Sequence, residues 1–179
     1  MRKWCFLIIF VMYCCLIGCG KEIIRTEVGE KIFDENDVFT TFDNKEFSYQ
    51  DIQAKKITMI NVWGTFCVEC DKEIPDLIKI NDEYNKQGVQ VVGIVIDSLD
   101  SKGNVNNSKC TEATEILKKS DVNYINIIPS KDFKQNFLKD VQMVPMTFFV
   151  NNEGKQIGDV YYGSKSYEEW SEIIEKISR

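Results

Sequence analysis

The chain has 179 residues, 44% of them hydrophobic, enough for one globular domain with a sizeable core. Its 28 acids outnumber 22 bases, and the net charge of −6 argues against nucleic acid as a partner. It contains no histidine, which removes Cys–His and Ser–His nucleophile pairs and most catalytic zinc sites, so acid–base work falls to carboxylates, Lys, Tyr or Cys.

The chain opens on a targeting segment. Met1-Arg2-Lys3 is a short basic start, and Trp4 to Ile17 is an apolar run shorter than a membrane-crossing helix needs. The run ends in Leu16-Ile17-Gly18-Cys19, which resembles a bacterial lipoprotein signal. The resemblance implies that residues 1–18 are a cleaved signal peptide and that the Cys19 sulfur carries the lipid. An uncleaved anchor is the alternative; both put the domain on the outer face of the cytoplasmic membrane. Cleavage removes Arg2 and Lys3, leaving 20 bases against 28 acids and a net charge of −8. It also removes Cys5, Cys14 and Cys15, and lipid blocks Cys19, so Cys67, Cys70 and Cys110 remain. Residues 19–37 are polar with scattered apolar positions and read as a tether, with the globular domain over 38–179.

Val38 to Phe42, the turn Asp43-Asn44-Lys45 and Glu46 to Ser48 form a predicted β-hairpin, followed by a helical turn through Gln53. Lys56 to Trp63 is a short β-branched apolar run, read as a buried strand. Beyond it Ile74, Leu77, Ile78, Asn81 and Tyr84 recur at helical spacing, Pro75 is expected to kink that helix, and Gly88 to stop it. Val89 to Ile96 is a second buried strand, and the polar stretch Asp97 to Lys109 reads as a surface loop. A helix is expected over Cys110 to Ser120, a strand over Asn123 to Ile128, and a helix capped by Ser130 running to Lys139 with Phe133, Phe137 and Leu138 inward. Cys110 shares a face with Ala113, Ile116 and Leu117, which favours a buried structural thiol over a third redox cysteine. Met146 to Val150 and Lys155 to Tyr161 flank the turn 151–154 as a second hairpin. The last helix starts at the capping box Ser166-Tyr167-Glu168-Glu169 and packs on Tyr167, Trp170, Ile173, Ile174 and Ile177. Strand–helix alternation followed by a hairpin predicts an α/β domain, a central mixed sheet with helices on both faces.

The chemistry concentrates in Asn61 to Pro75, NVWGTFCVECDKEIP. Cys67 falls at the start of the helix and Cys70 one turn in. Free N–H groups and the helix dipole there favour a Cys67 thiolate, and Cys70 is close enough to attack a mixed disulfide formed by the first sulfur. Half of a zinc site has the same spacing, but the chain has no second Cys pair and no His, so no metal is expected.

The run W-G-T-F-C-x-x-C-x-K-E-x-P, preceded by Asn61, resembles the TlpA/ResA-like thiol-disulfide reductases, which are membrane-tethered members of the thioredoxin fold. The resemblance covers about Val38 to Arg179. It implies a thioredoxin-like fold with an N-terminal β-hairpin extension, and no cofactor beyond a redox-active Cys67–Cys70 disulfide. Phe66 stands where the family usually has Trp, and Val68-Glu69 is an unusual dipeptide between the cysteines; such dipeptides tune redox poise. Val144-Pro145 resembles the cis-proline that faces the cysteines, where the Val144 backbone can pair with an extended client. Trp63, Phe66, Val144 and Pro145 are thereby the expected substrate-binding residues. Asn61 takes the place of a buried thioredoxin Asp, and Glu73 matches the Glu of the ResA-like branch, a proton acceptor or donor for Cys70. A solvated Glu beside Lys72 is its alternative reading. Acidic Glu69, Asp71 and Glu73 oppose thiolate formation, so a reducing couple is expected.

The implied activity is reduction of client disulfides, re-energised by a CcdA/DsbD-like membrane electron donor. Apocytochrome c and an extracytoplasmic methionine sulfoxide reductase are two client classes the resemblance offers. Two rivals stand beside it. A peroxidase of the same fold needs Thr and Pro spaced ahead of its Cys, which Thr65-Phe66-Cys67 does not supply. A non-enzymatic lipoprotein that binds metal or a partner through the same thiols is the other.

Overall fold

A computed structural model describes residues 28–179. The expected signal peptide, residues 1–18, and the expected lipid-bearing Cys19 lie outside the described residues. Seven strands form one sheet: β1 (Val38–Thr41), β2 (Glu46–Ser48), β3 (Ile57–Trp63), β4 (Val89–Val95), β5 (Ile125–Ile128), β6 (Met146–Asn151) and β7 (Gln156–Tyr162). Their order is β2-β1-β5-β4-β3-β6-β7. The centre, β5-β4-β3, is parallel, and the pairs on either flank are antiparallel. This is the expected mixed sheet.

Side-chain alternation assigns each central strand to two layers. Ile60, Val62, Val92, Ile94, Met146, Phe148 and Val150 join Phe39, Phe47, Ile52 and Phe133 in one core. That layer holds the two short helices α1 (Tyr49–Gln53) and α4 (Lys131–Asn136). Ile57, Met59, Val89, Val91 and Phe149 face the other way, against Leu77, Ile80 and Tyr84 of α2 (Val68–Tyr84) and Trp170 and Ile174 of α5 (Tyr167–Ile177). Trp63 and Val95 continue that face toward the remaining helix, α3 (Asn107–Lys119), through Ala113. β3 and β4 are buried at every position because helices cover both sides.

Several boundaries are set by groups the sequence shows only faintly. α2 runs unbroken through Pro75. It passes into a 3₁₀ turn at Asn85–Gln87 and ends at Gly88, whose φ of 92° favours a residue without Cβ. α3 begins at Asn107, earlier than the expected Cys110, because the Asn106 side chain accepts from the Lys109 N–H. The stretch before it is not a plain surface loop: Ser98 and Leu99 are buried, and Leu99 pairs with Val105. The α5 capping box is present, Ser166 N donating to Glu169 Oε2 at 2.9 Å and Glu169 N to Ser166 Oγ at 3.3 Å. N-terminal packing starts ahead of Val38: Ile32 and Phe33 are core residues, and Gly29 N and Ile32 N donate to Gln156 O and Gly154 O. Among the described residues no helix is long and apolar enough to cross a membrane.

Candidate active site

β3 delivers Trp63 to the edge of the sheet, and a tight turn follows in which Cys67 N donates to Gly64 O at 3.0 Å. Cys67 is the N-cap of α2, with extended backbone and Sγ accepting from Cys70 N at 3.1 Å. The two sulfurs form a disulfide with Cα atoms 5.3 Å apart. The pair is asymmetric. Cys67 keeps 8% of its surface, whereas Cys70 keeps 2% and faces inward. The outer sulfur is therefore the one a partner reaches, and the helix start that caps it favours negative charge there.

Around the outer sulfur the surface is apolar. Phe66 is 65%, Val68 66% and Met143 55% exposed. Half-buried Val144 packs on the cluster made by Trp63, Cys67, Cys70, Val95 and Ala113. The Val144–Pro145 bond is cis, and buried Pro145 accepts from Gly163 N at 3.0 Å. Trp63, expected among the substrate-binding residues, is buried at the end of its strand, and its indole N–H donates 2.8 Å to Asn126 Oδ1 inside the fold. It is a floor beneath the disulfide, and Phe66 offers the ring to solvent. Gly93 makes this packing feasible, since a Cβ there would lie 2.0 Å from Asn126 Oδ1.

Glu73, one turn past Cys70, is buried rather than paired with Lys72, which binds Glu69 instead. Its Oε1 accepts from Trp170 Nε1 and from Lys165 N, each at 3.0 Å. Its Oε2 accepts from Asn61 Nδ2 at 3.1 Å, and the same amide reaches Thr147 Oγ1 at 2.9 Å. Burial pushes the Glu73 carboxyl above its ordinary range, and the three hydrogen bonds only partly pull it back. Burial thus makes this carboxyl a better proton acceptor than a solvated one. Asn61 is thus a donor to Glu73, not a titrating group itself.

A second polar cluster, which the sequence does not flag, lies ahead of Cys67. Asp97, just after β4, accepts from Thr65 N at 3.2 Å and from Thr65 Oγ1 at 2.7 Å. Lys109 Nζ donates to Thr65 Oγ1 at 2.9 Å and to Glu112 Oε2 at 2.6 Å. Cys110 is half-buried and unpaired, its Sγ 3.6 Å from Ser98 O, and burial raises its thiol above the ordinary range. That environment suits an inert thiol.

The AhpC/TSA family model matches residues 28–161. The chain is 27% identical over 157 residues to thiol-disulfide oxidoreductase ResA of Bacillus subtilis (strain 168), covering 84% of this chain and 79% of that protein. It is 24% identical over 156 residues to ResA of Bacillus thuringiensis subsp. konkukian (strain 97-27), covering 86% and 80%. Among solved structures, a thioredoxin-family thiol:disulfide interchange protein of Chlorobium tepidum TLS superposes with TM-score 0.66 at 18% identity, over 86% of this chain and 99% of that one. StoA of B. subtilis gives 0.58 at 18% identity, over 76% and 93%. The exposed lipoprotein thioredoxin Etrx1 of Streptococcus pneumoniae strain TIGR4 gives 0.61 at 20%, over 78% and 98%. These superpositions show the thioredoxin-like fold. A vicinal disulfide-forming pair at a helix start, on that fold and in that company, is a thiol-disulfide exchange centre, and the chain belongs to the AhpC/TSA family as a TlpA/ResA-like thiol-disulfide oxidoreductase.

Proposed function

We propose that this protein works as a reductase of client protein disulfides, tethered outside the cytoplasmic membrane by lipid on Cys19. The observation that carries the direction of attack is the asymmetry of the pair: Cys67 keeps 8% of its surface and Cys70 2%, with buried Glu73 one turn further along α2. In the reduced protein the Cys67 thiolate attacks one sulfur of a client disulfide, and the other client sulfur leaves as a thiolate. Cys70 gives its proton to Glu73 and attacks the Cys67 sulfur, the second client thiol leaves, and the Cys67–Cys70 disulfide closes. Two electrons pass to the client; the Cys70 proton reaches one client sulfur through Glu73, and the client sulfur that left as a thiolate takes its proton from water. The two sulfurs carry the chemistry without an added cofactor or metal. Acidic Glu69 and Asp71 beside the pair support a reducing couple.

The anchor rests on Leu16-Ile17-Gly18-Cys19, and the lipoprotein named among the structural neighbours is in keeping with it. Re-reduction falls to a CcdA/DsbD-like membrane donor. Val144, Pro145 and Phe66 bind the client, and apocytochrome c and an extracytoplasmic methionine sulfoxide reductase are the client classes to test first.

Trapping in the native host tests the proposal. Cys70→Ser can attack but cannot release, so it should hold a Cys67-linked protein adduct that disappears on reduction and whose mass identifies the client. No adduct above a Cys67→Ser/Cys70→Ser control would sink the reductase reading. Peroxide consumption by the reduced protein would put a peroxidase in its place, and metal retained after desalting a binding module.

A further inference from the structure

The turn that presents Cys67 is fastened from outside its own helix. Gly64, Thr65 and Phe66 link β3 to the α2 cap, where the Cys67 N–H donates to Gly64 O. Phe66 is mostly exposed and contributes little anchorage. Thr65, in contrast, is buried, and both of its hydrogen-bonding groups are taken by residues 32 and 44 positions away. One Asp97 oxygen takes the backbone N–H and the other takes the hydroxyl proton, a two-point grip that fixes the peptide plane and the side-chain rotamer together. Lys109 closes the arrangement: it donates to the same hydroxyl, stands 3.9 Å from Asp97 Oδ2, and is itself held by Glu112. The side chains of Asp97 and Lys109 are 17% and 34% exposed, so water competes weakly for the grip.

We propose that Asp97, supported by Lys109, is a positioning residue for the exchange reaction: it holds Thr65 so that the Cys67 sulfur stays on the α2 N-terminus. The physical reason is geometric. Cys67 Sγ gains from the Cys70 N–H and from the helix start only while it sits at the cap, and that gain fades within a turn. Asp97 also brings a carboxylate to the turn that carries Cys67, and by charge alone it opposes the thiolate. Geometry and charge therefore act in opposite directions, so substitution can separate them. The ionisable groups around the pair and its turn include Glu69, Asp71, Lys72 and Glu73 on α2, Asp97 after β4, Lys109, Cys110, Glu112 and Lys119 on α3, and Lys165 before α5; all but Asp97 stay in place in the test.

The test uses the full chain, reduced, with iodoacetamide alkylation read at the Cys67 peptide by mass spectrometry across pH. Asp97→Ala removes grip and charge together. It should move the pH midpoint of Cys67 reactivity upward by about half a unit and, below that midpoint, slow alkylation and exchange with a model disulfide by about threefold, the matching loss of thiolate. Asp97→Asn keeps an oxygen for Thr65 N and an amide N–H for Thr65 Oγ1, and should restore the rate with a midpoint at or below that of the unaltered chain. Thr65→Val, which loses the hydroxyl but keeps the backbone N–H, should fall between and serves if Asp97→Ala does not fold. Unaltered rates and midpoints in both Asp97→Ala and Thr65→Val would overturn the proposal. So would an Asp97→Asn variant as slow as Asp97→Ala, since the two-point grip it keeps would then not be what sets the rate. A slower rate with an unmoved midpoint would mean general loosening and overturn it too.

Discussion

Replacing Glu73 is the sharpest probe of the buried layer. Alanine leaves three donors facing a void: Trp170 Nε1, Lys165 N and Asn61 Nδ2. Asn61 retains Thr147, so two donors lose their partner. At about 1–3 kcal/mol for each buried donor, less what is regained by no longer burying a carboxylate, Glu73→Ala should destabilise by about 2–4 kcal/mol. For a domain of this size that lowers Tm by roughly 10 °C. Glu73→Gln keeps the oxygen that serves Trp170 and Lys165, and Asn61 can turn its amide to meet the new one, so its cost should stay within about 1 kcal/mol. The pH dependence separates the two further. Burial raises the Glu73 carboxyl in the folded protein, so between its unfolded and folded values the native state binds more protons than the unfolded state. Its contribution is fully present below the ordinary carboxylate range and is lost as pH rises through the raised folded value. Glu73→Gln lacks this loss and should gain on the unaltered protein with rising pH. Denaturant unfolding of the oxidised proteins from about pH 4 to about pH 8 reads both effects. A cost below about 1 kcal/mol for alanine, or an identical pH slope with glutamine, would refute the assignment of Glu73 as a desolvated, three-fold hydrogen-bonded carboxyl.

Gly93→Ala should be among the most damaging small substitutions, because its Cβ would meet Asn126 Oδ1 at 2.0 Å and Trp63 Nε1 at 3.1 Å. A loss of about 3 kcal/mol in denaturant unfolding is expected, and a change under about 1 kcal/mol would contradict the packing of the floor. Phe66→Ala removes an exposed ring and should leave stability within about 0.5 kcal/mol, yet raise KM for protein disulfides with little change toward a small disulfide; equal loss on both substrates would remove Phe66 from the client surface. Cys110→Ala should leave exchange kinetics unchanged, since its thiol makes one weak contact to Ser98 O; a fall in turnover would make it a resolving cysteine.

The parts legible in the sequence are those whose cause is local. A buried strand is a β-branched run, a helix start is a capping box, and the reactive pair is two cysteines one turn apart where one ends and the other begins. Residues 57–63, 89–95 and 167–177 follow from such signals with boundary shifts of a residue or so. The family resemblance placed Glu73 in the site, but its setting has no signal in the sequence, because Lys165 and Trp170 lie 92 and 97 positions away and leave no periodic trace. Trp63 reads as the end of a buried strand, but only the alternation of β3 in the sheet turns it onto the Ala113 side, where Asn126 receives it. The start of α3 and the Thr65–Asp97–Lys109 cluster were missed because their evidence is an Asn cap in a polar stretch and three unremarkable polar residues. Residues 29–33 read as tether by composition, yet two apolar side chains and a few backbone donors suffice to bind them to the β6–β7 turn. By itself, then, the sequence determined the exchange chemistry and the order of the elements, because both depend on short-range spacing and periodicity. Which groups surround the sulfurs, which ring faces water and what grips the turn before Cys67 were decided only when the sheet set its register, since contacts across strands and helices are fixed by packing and not by neighbours in the chain.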